Sequence, residues 1–419
     1  MKRVVVTGMG VVSPVGNSLA DFWQSLQEGR SGVGPITRFD TTGFVTNYAA
    51  EVKDFDPTRR IDRRDARKMD RFSQYAVYAA AEAWEDAGFA GIKSSSGGAS
   101  FDPERLGVVL GIGIGGFETT EESLRALHEK GPSRVPPMTI PKLIANIGPA
   151  HVAISLGALG PVYSLATACA SATDAIGSAL RHLRDGSLDI VVTGGAEACI
   201  TPLGIAGFNV IQALSSSFAD DPQRASRPFD ADRDGFVMGE GAGILVLETL
   251  DHALARGARI YAEVAGSGMT DDAYHLTAPH PEGIGAARAI KAALADGGLV
   301  PEDIDYVNAH GTSTPVNDPT ETRAIRNAFG DHAEKLAVSS TKSMTGHCVG
   351  AAGGIEAIAS VLAIHDSFIP PTINFEKPGE GCDLDYVPGT GRRQPVRAAL
   401  STSLGFGGHN GVIIFRKYE

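Results

Sequence analysis

Val4-Val5-Val6-Thr7-Gly8-Met9-Gly10 is a β-branched run closed by alternating glycines, and Ala262-Glu263-Val264-Ala265-Gly266-Ser267-Gly268 echoes it. Each reads as a strand entering a glycine turn. Three further pairs follow in the same order. Glu85-Asp86-Ala87-Gly88-Phe89, then Leu106-Gly107-Val108-Val109, matches Ala295-Asp296-Gly297-Gly298-Leu299, then Ile304-Asp305-Tyr306-Val307. The helical stretch 174–185 matches 356–366, and Gly241-Ala242-Gly243-Ile244-Leu245-Val246 matches His409-Asn410-Gly411-Val412-Ile413-Ile414. Colinear matches of this kind indicate an internal duplication with a shorter second half. The boundary falls near 250–259 without a low-complexity linker, giving halves 1–255 and 256–419. Two halves so joined imply one body with pseudo-twofold symmetry and a site between the halves, at the C-terminal ends of the strands.

Strand-like runs at 3–6, 106–110, 162–166, 190–193 and 243–248 alternate with helical stretches such as 72–88 and 174–184, the pattern of a layered α/β protein. The chain has 419 residues, 43% apolar and 21% charged, with 51 glycines. That composition disfavours disorder, collagen and coiled coil. A net charge of −12 argues against general nucleic-acid binding. Four cysteines make no disulfide framework, and no apolar run approaches a membrane span, so a cytoplasmic protein is expected. The serine-rich stretch 94–100 reads as a surface loop.

Thr167-Ala168-Cys169-Ala170-Ser171-Ala172 follows a β-run and opens a small-residue helix. A cysteine there faces free N–H groups and the positive end of the helix dipole, which stabilise a thiolate and can form an oxyanion hole. Cys199, Cys348 and Cys382 lack this context and read as structural. His310, in Asn308-Ala309-His310-Gly311-Thr312-Ser313-Thr314, stands at the end of a strand. His347, in Lys342-Ser343-Met344-Thr345-Gly346-His347, precedes the helix that the duplication pairs with 174–185. The repeat thus puts Cys169 and His347 on symmetry-related turns. No CxxC or HExxH spacing supports a metal site. Gly405-Phe406-Gly407-Gly408 reads as a gate, an N–H donor or a tight turn. Gly111-Ile112-Gly113-Ile114-Gly115-Gly116 matches a dinucleotide fingerprint, but its acidic residues follow too soon to reach a ribose. Seven basic residues from Arg59 to Arg71, interrupted by three acidic ones, leave +4 on what spacing suggests is one helix face, a dock for an acidic partner.

These motifs together resemble the elongating beta-ketoacyl-acyl carrier protein synthases, closest to the synthase II type, along nearly the whole chain. The resemblance implies a thiolase-like fold, a five-layered α-β-α-β-α sandwich of two duplicated halves. It implies decarboxylative condensation of malonyl- with acyl-carrier protein through an acyl-Cys169 intermediate, with His310 and His347 completing the catalytic set. Nε2–H of both histidines would then face the enolate oxygen, and Cys169 and Phe406 N–H groups would form the oxyanion hole. Lys342 and Glu321 are implied as a supporting pair. Thr277, Thr312 and Thr314 would line the pantetheine channel, and Ile114 and Phe208 the acyl pocket. Arg64, Arg67 and Lys68 would dock the acidic carrier protein, which brings its own 4′-phosphopantetheine; no further cofactor and no metal are implied. A homodimer is expected, with no nucleic-acid or membrane partner. The same residues would serve polyketide or specialised lipid synthesis. A chain-length-factor subunit would lack Cys169, and a degradative thiolase is disfavoured by His347. His409 and Cys348 depart from the family pattern and bear on pocket shape rather than the reaction; Ser215-Ser216-Ser217 and the 94–100 insertion are also unusual and contain no residue of the catalytic set.

Overall fold

The computed structural model describes residues 1–89 and 101–419, so the loop expected at 94–100 lies outside the described residues. Ten strands form the main sheet: β1 (Val4–Val12), β2 (Leu106–Gly111), β3 (Val162–Leu165), β4 (Ile190–Glu197), β5 (Gly241–Thr249), β6 (Ala262–Asp271), β7 (Tyr306–Asn308), β8 (Ala337–Ser339), β9 (Ala398–Gly405) and β10 (His409–Arg416). Their order is β8-β7-β9-β10-β6-β1-β5-β4-β2-β3. Read outward from the centre, β1-β5-β4-β2-β3 and β6-β10-β9-β7-β8 have the same pairing directions: antiparallel twice, then parallel twice. Within the sheet, among the described residues, the halves pair at Val5–Glu263 and Val6–Ala262.

Helices fill the layers around this sheet. Among them are α1 (Arg71–Asp86), α2 (Ile147–Leu156), α3 (Ser171–Arg184), α4 (Ile284–Gly297), α5 (Asn317–Phe329) and α6 (Ala352–Asp366). α1 and α2 cover the outer face of the first half; α4, with α5 beside it, covers the second. α3 and α6 lie between, each touching strands of both halves, which gives the five-layered thiolase-like arrangement. α6 is buried from Ala352 to Ile364. By length and composition Val349–Asp366 would pass as a membrane span, contrary to expectation, yet 89% of it is buried inside the fold. Its apolar surface has strands on both sides, as a central core helix requires.

The paired glycines do not end their strands. β1 continues through Gly8 and Gly10 because α1 lies directly on its backbone. A Cβ added to either glycine would sit 2.6 Å from a helix amide, Ala87 N or Ala83 N. The second half repeats the device: a Cβ on Gly266 would lie 2.7 Å from Gly297 N, and one on Gly268 2.8 Å from Ala293 N.

The basic run does not form one helix face. It divides into a turn at Pro57–Arg59, a short helix at Arg63–Ala66, and α1 from Arg71. Aspartates start each piece: Asp56 accepts from Thr58 N–H, Asp62 from Arg64 N–H and Asp70 from Phe72 N–H. Of the three acidic residues that interrupt the run, Asp62 and Asp70 are caps, while Asp65 lies within the short helix. Arg60 pairs with Glu85, Arg71 with Glu118 and Lys68 with Asp65. Arg59, Arg63, Arg64 and Arg67 are exposed.

The close contacts set a test. Gly10→Val and Gly268→Val should each destabilise the fold by about 3 kcal/mol through overpacking. Thermal melts of the two variants should show comparable losses. Unchanged melting of Gly268→Val would mean that α4 does not rest on β6 as described.

Candidate active site

Two turns build the site. After β3 the chain passes Ala168 at φ 49°, a left-handed value, then a 3₁₀ turn over Ala168–Ala170, and enters α3. Val349, at φ 47°, opens the same sequence of 3₁₀ turn (Val349–Ala351) and helix, α6. The two turns are therefore equivalent in the repeat, and Gly350 stands where the first half has Cys169. His347, just before the second turn, points its Nε2 at Cys169 Sγ across 2.9 Å. The ring of His347 meets His310 edge-on, with centroids 5.2 Å apart at 88°, and Phe236 in the same manner.

His310 follows β7 and is held from behind. Its N–H donates to Glu321 Oε1 at 2.7 Å and to Thr402 Oγ1 at 3.0 Å, while Gly311 N–H donates to Glu321 Oε2 at 2.8 Å. The pairing expected between Lys342 and Glu321 is not formed. Lys342 Nζ instead pairs with Glu356, and both side chains are almost wholly buried. Glu321 lies on α5 facing the His310 turn, where backbone and hydroxyl donors occupy it; Glu356 in the first turns of α6 comes directly against Lys342. Motif spacing alone carried no sign of this choice.

Cys169, His310 and His347 share a cavity of about 510 Å³. Thr277, Thr314 and Thr312 line it too, passing from exposed through half-buried to buried. Thr312 and Thr314 hydroxyls lie 3.2 Å apart. Ile114, Phe208 and Phe406 form an apolar part, and the rings of Phe208 and Phe406 are 6.4 Å apart. Gly405 brings the last turn against the Cys169 turn: a Cβ there would lie 2.7 Å from Thr167 O. Gly407 and Gly408 both have positive φ, which allows the tight reversal after Phe406. His409 also lines the cavity, its Nδ1 3.6 Å from Asp271.

Burial governs the electrostatics. It pushes the Cys169 thiol up to about 12; the Lys342 charge and a Phe406 N–H bond act in the opposite sense. The thiolate expected at the helix N-terminus is thus not the resting form at neutral pH. Burial, then the Lys342 charge, hold both imidazoles well below their ordinary range, and His347 depresses His310 further. Both are neutral. Nδ1 of each is buried without a hydrogen-bond partner among the described residues. A bare acceptor costs less than a bare N–H, which places the proton on Nε2 in both rings. Burial raises the Glu356 carboxyl and Lys342 draws it back down.

One residue escaped the sequence reading. Glu197, at the end of β4, is wholly buried and accepts N–H groups from Gly113, Ile114, Gly115 and Gly350. Burial pushes its carboxyl up to about 7. An acidic residue closing the small-residue strand end Gly194-Gly195-Ala196 was the signal available.

A cysteine and two histidines brought together by two equivalent turns inside a duplicated α/β body define a thiolase-like condensing protein. Residues 1–253 match the description "Beta-ketoacyl synthase, N-terminal domain" and 261–376 match "Beta-ketoacyl synthase, C-terminal domain". The chain belongs to the beta-ketoacyl synthase family. It is 54% identical over 418 residues to 3-oxoacyl-[acyl-carrier-protein] synthase 2 of Synechocystis, covering 100% of this chain and 99% of that one. The protein of the same name from Coxiella burnetii is 50% identical over 416 residues, with 99% of each covered. The ishigamide ketosynthase/chain length factor superposes with a TM-score of 0.92 at 40% identity, over 100% of both chains. A type II polyketide ketosynthase solved with its acyl-carrier protein gives 0.90 at 36%, again over 100% of both.

The raised thiol makes a kinetic prediction. Below its pKa the thiolate fraction grows tenfold per pH unit. Iodoacetamide labelling of Cys169 should therefore rise about tenfold per unit across the neutral and mildly alkaline range. A flat rate there would reveal a preformed thiolate.

Proposed function

We propose that this chain is a 3-oxoacyl-[acyl-carrier-protein] synthase of the synthase II type, elongating fatty acyl chains by decarboxylative condensation. The observation that carries the reading is the contact of His347 Nε2 with Cys169 Sγ, with His310 edge-on beside it in one buried cavity. In this reading residues 1–255 supply the nucleophile and 256–419 the two histidines. The 54% and 50% identity to synthase 2 relatives, against 36% to the type II polyketide ketosynthase, favours fatty acid over polyketide synthesis.

The chemistry follows from the geometry. Cys169 sulfur attacks the carbonyl of the acyl thioester. Cys169 and Phe406 N–H groups hold the tetrahedral oxyanion, each worth about 3 kcal/mol in such holes. The bond to the carrier sulfur breaks, and that thiol leaves with the proton Cys169 gave up. Malonyl thioester then enters. Its C–C bond to the carboxylate breaks, CO₂ departs, and the electron pair becomes an enolate. Two neutral imidazoles offering Nε2–H stabilise that oxygen only as charge develops. The enolate carbon attacks the acyl-Cys169 carbonyl, the bond to Cys169 sulfur breaks, the released thiolate takes a proton from water, and a 3-oxoacyl thioester results. No cofactor of the enzyme's own is required. Lys342 and Glu321 are positioning residues, acting through separate partners. The graded threonines 277, 314 and 312 suit a pantetheine arm, and Ile114 with Phe208 suits the acyl chain.

The carrier protein is the proposed partner, docking at Arg64, Arg67 and Lys68; the polyketide ketosynthase solved with its carrier protein is a precedent for that kind of pairing. Four free cysteines suit a reducing compartment, in keeping with a cytoplasmic enzyme. Incubation with acyl-carrier protein should add an acyl mass to the peptide containing Cys169. His310→Ala should keep that mass while condensation falls about a hundredfold. Reversing charge at Arg64 and Arg67 should slow loading from the carrier protein but not from a free pantetheine thioester. An acyl mass elsewhere, or none, would sink the mechanism.

We also propose a homodimer formed along β3. Among the described residues this strand closes the sheet with one side unpaired, and edge strands invite pairing. β3 packs on α2, and next to α2 the helix Thr139–Leu143 leads to Phe117–Lys130; Ile140, Ile144, Leu124 and Leu127 are exposed in this region. Light scattering should give twice the chain mass. A single-chain mass at micromolar concentration would refute the dimer.

A further inference from the structure

Glu197 is more than a buried acid. Three successive amides converge on it: Gly113 N–H at 2.8 Å, Ile114 N–H at 3.1 Å and Gly115 N–H at 3.0 Å. Successive amides in a turn make an anion-binding concavity, and here the chain supplies the anion itself. From the other side Gly350 N–H donates to Oε2 at 3.3 Å. The space is full: a Cβ on Gly113 or on Gly350 would lie 2.6 Å from that same oxygen. The Cys199 thiol also hydrogen-bonds the carboxylate.

The two loops joined this way have different tasks. The 113–115 loop presents Ile114 to the cavity. Gly350 belongs to the turn that follows His347, and its neighbour Val349 lines the same cavity. One carboxylate therefore spans the apolar wall and the reaction centre. Neutralising or retracting it strips acceptors from buried amides on both loops at once.

We propose that Glu197 is a positioning residue that sets acyl-chain-length preference by tying the Ile114 loop to the His347 turn. This rests on the function proposed above. An acyl chain anchored at Cys169 extends toward Ile114, so the distance between the two loops limits how long a chain fits. Donors too short to reach Ile114 do not sense that distance. Long donors do.

Glu197→Gln retains one acceptor oxygen; Glu197→Asp withdraws the carboxylate by one methylene. In the full-length enzyme, kcat and KM are measured for saturated acyl donors of increasing length. Either variant should change the long-to-short ratio of kcat/KM by about fivefold or more, carried mainly by KM. The double variant Glu197→Gln/Ile114→Ala should show the length profile of Ile114→Ala alone, because Glu197 acts through Ile114. A uniform loss at all lengths, an unchanged profile, or additive effects in the double variant would overturn the proposal. Mass analysis of acyl-Cys169 separates the two levels. No loading of the wild-type enzyme by any donor removes both readings; normal loading with an unchanged length profile removes this one alone.

Discussion

Gly353 and Gly354 let the start of α6 lie against α3 and the sheet with nothing between. A Cβ on Gly353 would fall 2.8 Å from Thr173 N, and one on Gly354 3.0 Å from Gly195 N and 3.1 Å from Gly243 C. This contact between the helices of the two halves sets the distance between their N-terminal turns. Cys169 heads one and His347 precedes the other, so their 2.9 Å separation depends on it. A side chain here would push the helices apart, and a shift of about 1 Å in a reacting group can cost a hundredfold in rate. Interiors packed to this density transmit such shifts rather than absorb them.

The same closeness produces the electrostatics. Cys169, His310, His347, Lys342 and Glu356 share a volume largely removed from water. Burial disfavours charge on each titratable group, raising the thiol and the carboxyl and lowering the imidazoles. One buried cation, Lys342, with Glu356 as counter-ion, biases the rest toward neutral imidazoles. Neutral rings can donate Nε2–H to an oxygen that becomes negative during reaction and offer little to one that does not. Breaking either partner of this ion pair would leave a buried charge at a cost of about 3–5 kcal/mol.

Side chains that touch residues near in sequence were legible early, and those whose partners come from distant segments were not. The cap aspartates Asp62 and Asp70 were visible as acidic residues, but their role emerged only once the basic run divided into separate pieces. The glycines of β1 and β6 looked like turn residues and proved to be places where a helix lies on a strand. Glu321 was the expected partner of Lys342, and only the placement of the helices showed that Glu356 takes that place. Glu197, with partners 82 to 84 residues upstream and 153 downstream, belongs to no local motif at all.

The order of residues by itself determined the duplication and the layered α/β class, and it singled out Cys169, His310 and His347 as candidates, because strand alternation, helix starts and small-residue turns can be read from the order of residues. The tertiary structure alone decided the partner of Lys342, the neutral state of the histidines, the raised thiol and the tie made by Glu197. Each of these depends on desolvation and on contacts between segments brought together only by folding, and neither is a property of a stretch of chain.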